Sequence, residues 1–127
     1  YDPDATAEVL EFNAQNQPPP EGQVMALARI EATFLGEGSA NAFLEMEWAL
    51  VDDAGTLYTD ADCGVLPDDL ASQSGVPRGQ SANGTICFAV DESALGQVVL
   101  HIAPLLGKPV TRRWWQARPT GAGVVLE

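Results

Sequence analysis

Residues 24–35, VMALARIEATFL, alternate with a period of two. Val24, Ala26, Ala28, Ile30, Ala32 and Phe34 fall on one side, and Arg29, Glu31 and Thr33 on the other. Successive side chains of a β-strand point to opposite faces, so this is the signature of a long strand with one covered face. The apolar signal follows period two along the chain, and a helical period is nearly absent. Residues 42–51, AFLEMEWALV, repeat the pattern: Leu44, Met46, Trp48 and Leu50 alternate with Glu45 and Glu47. Asp52-Asp53-Ala54-Gly55 then supplies turn chemistry, with Gly free to take positive φ and Asp side chains able to bond nearby amides. Residues 56–59 begin the return strand of a hairpin.

The rest of the chain reads the same way. TICFAV at 85–90 is a strand with Ile86, Phe88 and Val90 on one face and Cys87 on the other. Residues 91–96 resemble a short helical turn closed by Gly96, 97–105 a β-branched strand ended by Pro104, and 110–117 the last strand. Residues 5–12 read as a short strand. Pro18-Pro19-Pro20 cannot sit in a ladder, so 13–22 reads as a stiff surface connector. Residues 62–84 form a long excursion of the kind that often carries function, with one helical turn expected near Asp68–Ala71. Six or seven strands at this spacing predict an all-β, immunoglobulin-like antiparallel β-sandwich, and the lack of helices between strands argues against a parallel α/β fold.

At 127 residues the chain makes one domain. We divide it into an N-terminal extension at 1–4, the sandwich at 5–118 and a tail at 119–127, frayed to Gly123 and ending in Leu126-Glu127, which can be read as a cloning scar. The start at Tyr1, without Met, points to a chain that begins after an export signal. No apolar run approaches 18 residues, so no transmembrane segment is expected. Eighteen acidic residues against six basic ones give a net charge of −12, which excludes a nucleic-acid binder that must neutralise phosphates. Residues 1–100 contain only Arg29 and Arg78 as cations, whereas 101–127 hold Lys108, Arg112, Arg113 and Arg118. Two cysteines, Cys63 and Cys87, without Cys-x-x-Cys spacing, leave two readings: a single disulfide outside the cytoplasm, or two buried thiols inside it.

The order of elements resembles a known family. The run from Asn13 through Pro18-Pro19-Pro20-Glu21-Gly22 enters the long strand. Asp53-Ala54-Gly55-Thr56-Leu57-Tyr58 follows, then Cys63-Gly64-Val65-Leu66-Pro67-Asp68, and finally Gly79…Gly84-Thr85-Ile86-Cys87-Phe88. This is similar to the telokin-like, immunoglobulin-type domain of actinobacterial secreted proteins and lipoproteins, the family of the mycobacterial immunoprotective extracellular antigen. The resemblance covers roughly 5–117. It implies a β-sandwich exported from the cell, free or lipid-anchored, and bridged between Cys63 and Cys87. It carries no catalytic residues over.

Candidate chemistry is sparse. His101, the sole histidine, lies in a β-branched strand, and Ser39, Ser72, Ser74, Ser81 and Ser93 form no nucleophile-elbow pattern, so a serine triad is not expected. Glu45 and Glu47, two apart on a strand, read as a solvated face rather than a glycosidic pair. Asp52, Asp53, Asp60, Asp62, Asp68 and Asp69 crowd the loops without the Asp-x-Asp-x-Asp-Gly spacing of a calcium loop, so no metal and no cofactor are expected. Asn83-Gly84-Thr85 matches a glycosylation sequon, which a bacterial chain would leave unused. Trp114 and Trp115 must point to opposite faces, and the outward one, with Arg112 and Arg113, forms the candidate interaction surface. The expectation is a non-enzymatic, extracytoplasmic binding domain for a protein or cell-envelope component. The alternatives are an envelope-polymer hydrolase using loop carboxylates and a structural spacer. A short first strand leaves a neighbouring edge unpaired, which predicts a monomer or weak dimer.

Overall fold

The alternating stretch forms β1 (Gln23–Phe34), which pairs antiparallel with β6 (Ser81–Asp91) in a register running from Gln23 opposite Asp91 to Thr33 opposite Ser81. The computed structural model describes residues 1–94, 98–104, 115–119 and 124–126. On its other side β1 takes β8 (Trp115–Pro119) along Ile30–Phe34, giving a sheet of order β6-β1-β8. A second sheet has the order β4-β3-β7-β9, from β3 (Met46–Asp52), β4 (Leu57–Thr59), β7 (Val98–Pro104) and β9 (Val124–Leu126). Its pairs are antiparallel except β7 with β9. A two-residue ladder joins β2 (Ser39–Ala40) to β5 (Val76–Pro77). The chain is thus all-β in its main architecture.

Period two dictates where the core sits. Ala26, Ala28, Ile30, Ala32 and Phe34 of β1 share one buried cluster with Ile86, Phe88 and Val90 of β6 and with Trp48, Leu50 and Tyr58 of the second sheet. Each large side chain removed from water there contributes about 1.5–3 kcal/mol. The opposite face of β1 is split. Arg29 is exposed near its far end, but Met25 and Leu27 are buried with Cys87, Cys63, Ala5 and Val9 in a second, smaller cluster.

Several expectations are corrected. Residues 5–12 are not a strand: α1 (Thr6–Phe12) is a helix. Ala5 and Val9, four apart, are both buried, so the helical period beats the apparent alternation of Val9-Leu10-Glu11-Phe12. The strand expected over 42–51 starts late, because Asn41 caps a helical turn, α2 (Ala42–Glu45). Its Oδ1 accepts the N–H groups of Phe43 (3.0 Å) and Leu44 (3.2 Å). The segment read as a tail contains β9. The edge of β1 expected to be bare is covered: Asp2 and Leu27 exchange N–H···O bonds of 2.9 and 3.0 Å, and Ala5 N–H donates to Met25 O at 2.7 Å. The hairpin is as read, with Gly55 at φ +81° and Asp52 Oδ1 accepting from Ala54 (3.0 Å) and Thr56 (2.8 Å).

The 62–84 excursion covers the outer edge of β6 instead of hanging free. Ala61 N–H donates to Cys87 O (2.9 Å), Thr85 N–H to Asp68 O (2.7 Å), and the buried Thr85 hydroxyl to Pro67 O (2.6 Å). Farther along, the Gln73 amide accepts from Asn83 N–H (3.0 Å) and donates to Asn83 O, as a neighbouring strand would. The expected helical turn forms at Leu70–Ser72, capped by Asp69, and Leu70 is fully buried. Gly84 makes the approach possible: a Cβ there would sit 2.7 Å from both Asp68 O and Leu70 Cα.

Candidate functional site

Cys63 and Cys87 are bridged, with Cα atoms 6.3 Å apart. The bond ties the start of the excursion to the outer face of the β1–β6 pair. Closing a loop of separation 24 stabilises the fold by about 3.5 kcal/mol in the chain-entropy model. The next residues are fixed by Asn16. Its Nδ2 donates to Val9 O and Val65 O, and its Oδ1 accepts from Val65 N–H, all three at 2.7 Å. One buried amide thereby caps the C-terminal end of α1 and holds the disulfide loop. Gly64, at φ +84°, packs so closely on this amide that a Cβ would overlap Asn16 Oδ1.

Between these anchors runs a groove of about 460 Å³. Its floor is Met25 and Ala89, cross-strand partners on β1 and β6. One wall is the connector from Gln15 to Pro20, and the other is Ala61–Gly64. A second recess of about 290 Å³ lies across the Cys63–Gly64 ridge and is lined by Phe43, Leu66, Asp60 and Asp69 among others; Asp62 lines both. Asp62 and Asp69 each give one carboxylate oxygen to a backbone amide, Gly64 N–H and Ala71 N–H, both at 3.0 Å.

A separate polar cluster joins the two sheets. The Tyr58 hydroxyl lies 3.1 Å from Asp52 Oδ2 and 3.2 Å from Asp91 Oδ2. Desolvation, with help from both carboxylates, pushes the phenol up to about 12. The Thr56 amide, with Tyr58 and Ala54 assisting, holds the Asp52 carboxyl below its ordinary value. That direction keeps Asp52 ionised, the opposite of what a general acid at neutral pH needs.

Of the expected interaction surface, Arg112, Arg113 and Trp114 lie outside the described residues, and Trp115 is the first residue of β8, opposite Phe34. His101 lies on β7 opposite Ala49. Glu45 and Glu47 do not share a strand, because α2 ends at Glu45 and Glu47 is exposed on β3. Ser81 is hydrogen-bonded to the Thr33 hydroxyl at 2.7 Å. Among the described residues, no group of three or more His, Cys, Asp or Glu is arranged to hold a metal ion. No described helix is long and apolar enough to cross a membrane. The groove itself had one sequence signal, the triple proline at 18–20, read as a stiff surface connector. Met25 and Ala89 gave none, because their meeting depends on the β1–β6 register, and Asn16 gave none, because its partners Val9 and Val65 lie 7 and 49 residues away. Compared with known proteins, the chain matches no family model, no curated protein and no solved structure.

Proposed function

We propose that this chain is an immunoglobulin-like β-sandwich of the telokin-like type that works outside the cytoplasm as a non-enzymatic binding domain for a protein or cell-envelope component. The observation that carries this reading is the groove over Met25 and Ala89, whose walls are both fixed before any ligand arrives, one by the Cys63–Cys87 bond and one by Asn16. A pre-organised groove avoids the ordering cost that a flexible loop meets on binding. A disulfide is stable in an oxidising compartment, which supports the extracytoplasmic assignment. The hydrolase alternative is disfavoured by how the loop carboxylates are used: Asp52, Asp62 and Asp69 each accept backbone N–H bonds. The test is binding to fractionated envelope proteins and polymers by wild type and by Ala89→Arg, which fills the groove floor. Binding lost in a folded Ala89→Arg supports the reading. Undiminished binding moves the site elsewhere, and release of cleaved polymer overturns the non-enzymatic part.

A further inference from the structure

The groove has a chemical character that narrows its occupant. Its apolar surface comes from prolines, Met25 and alanines, and among the described residues no aromatic ring lines it. Sugar rings are usually held against aromatic faces, which carry the hydrophobic contact there, so a polysaccharide finds little purchase. The charge is one-sided. Segments 13–25 and 57–70, which supply most of both recesses, contain Glu21, Asp60, Asp62, Asp68 and Asp69 and no Lys, Arg or His. Among the described residues the ion pair of Arg29 with Glu8, at 3.9 Å, lies elsewhere, and no described side-chain cation meets Asp60, Asp62 or Asp69. Nucleic acid and anionic lipid are repelled by the same charge. What remains is a chain that can lie along a trough, place an apolar side chain on its floor and bring a positive charge to its rim.

We propose that the groove takes an extended cationic peptide segment of a partner protein. An apolar side chain rests on Met25 and Ala89, and a neighbouring Lys or Arg reaches Asp62 and, over the Cys63–Gly64 ridge, Asp60. The occupant alternates apolar and basic residues, because the floor and the acidic rim lie on different sides of one extended backbone. The exposed amides of Gln15 and Gln17 offer donors and acceptors to that backbone along the proline wall. This inference rests on the reading of the groove as a binding site and adds the ligand class.

The experiment titrates isotope-labelled full chain with three synthetic peptides of equal length, alternating Val-Lys, Val-Glu and Val-Ser, and follows backbone amide shifts. The proposal expects Val-Lys to shift Met25, Ala61, Asp62, Gly64 and Ala89, with affinity falling steeply between low salt and about 0.5 M. Asp62→Asn keeps the carbonyl that accepts Gly64 N–H and removes only the charge. It should weaken Val-Lys about threefold to fivefold, the effect of one partly exposed ion pair. Ala89→Arg, with its fold checked by melting, should abolish the shifts. Val-Lys shifts scattered over all acidic surfaces, or unchanged by both substitutions, overturn the proposal. Saturable Val-Glu or Val-Ser binding in the groove without Val-Lys binding overturns the cationic assignment but leaves the groove a binding site. An absence of groove shifts with all three peptides, together with undiminished envelope binding by Ala89→Arg, overturns both.

Discussion

Asn16 offers the most direct check on how the groove is held. Replacing it with Ala removes three hydrogen bonds of 2.7 Å and leaves the buried Val9 carbonyl and the part-buried N–H and carbonyl of Val65 to find new partners. At about 1 kcal/mol net for each bond, Asn16→Ala should lose about 3 kcal/mol. For a domain of this size that is a fall of about 10 °C in Tm. Asn16→Asp separates the hydrogen-bond account from a simple packing account. It keeps the shape but turns the donating Nδ2 into a carboxylate oxygen facing two carbonyls. Its folded-state pKa must then lie above the unfolded value of about 3.9, so the charged form is the destabilising one. Asn16→Asp should be less stable than Asn16→Ala at pH 7, and should recover as pH falls through the folded pKa. Gly64 supplies a coupled readout. A Cβ at Gly64 overlaps Asn16 Oδ1, so Gly64→Ala should cost less in the Asn16→Ala background than alone, although the φ strain persists in both. Urea melts of the singles and the double, at several pH values, check all of this. An Asn16→Ala loss below about 0.5 kcal/mol, or equal Asp and Ala variants at every pH, would refute the clamp.

Removing the disulfide by Cys63→Ala with Cys87→Ala should lower the urea-derived stability by about 3 kcal/mol, and non-reducing mass analysis of the wild type should find no free thiol. Gly84→Ala should destabilise by about 1–3 kcal/mol, because its Cβ meets backbone rather than a side chain that can swing aside; a neutral result would mean the excursion is not seated on β6. Tyr58→Phe should cost about 1 kcal/mol in thermal melts at neutral pH through loss of its link to Asp52 and Asp91. The Tyr58 phenol has a raised folded pKa, so its contribution is complete below pH 10 and is lost as pH rises toward about 12; Tyr1, also near 12, titrates in the same window and persists in Tyr58→Phe. The Asp52 carboxyl has a lowered folded pKa, so its contribution is complete above the ordinary value of 3.8 and is lost below it, and Asp52→Asn should flatten the acid limb of the stability profile.

The parts of the fold written in local pattern were legible. β1 follows from the alternation of Ala26 through Phe34, and the hairpin from Asp52 to Gly55 follows from turn chemistry. Both helices were missed for one reason: short apolar runs satisfy two periods at once. Val9-Leu10-Glu11-Phe12 fits a strand until Ala5 is seen to lie under Val9. Phe43-Leu44 continues the alternation of β3 until Asn41 is seen to cap the turn. The site was less legible than the fold. Met25 and Ala89 are opposite each other through a register that no short window contains, and an Asn in an Asn- and Gln-rich connector looks solvated until its three partners are known. The residues favoured from the sequence, Arg112 to Trp115, stood out because Trp and Arg are conspicuous types, whereas the groove is built from prolines, alanines and backbone.

The edges of the first sheet and the groove are products of the same folding solution. A β1–β6 pair standing alone would present two rows of unpaired amides, a template for aggregation. The chain covers one row with residues 2–5 and β8, and the other with the excursion from Asp60 to Gln73. Residues 2–5 lead onto the outer face of the sheet through α1, and the excursion begins there at the disulfide. Where they fail to meet, Met25 and Ala89 are left at the bottom of a trough. The disulfide is placed where the second cover begins, while Leu70, Thr85 and Gln73 secure its later part without covalent help. Breaking the bond therefore removes the constraint from the groove wall at 61–66 more than from the capped edge at 67–73. The bridge acts on stability through the unfolded chain and on the groove through the shape of one wall.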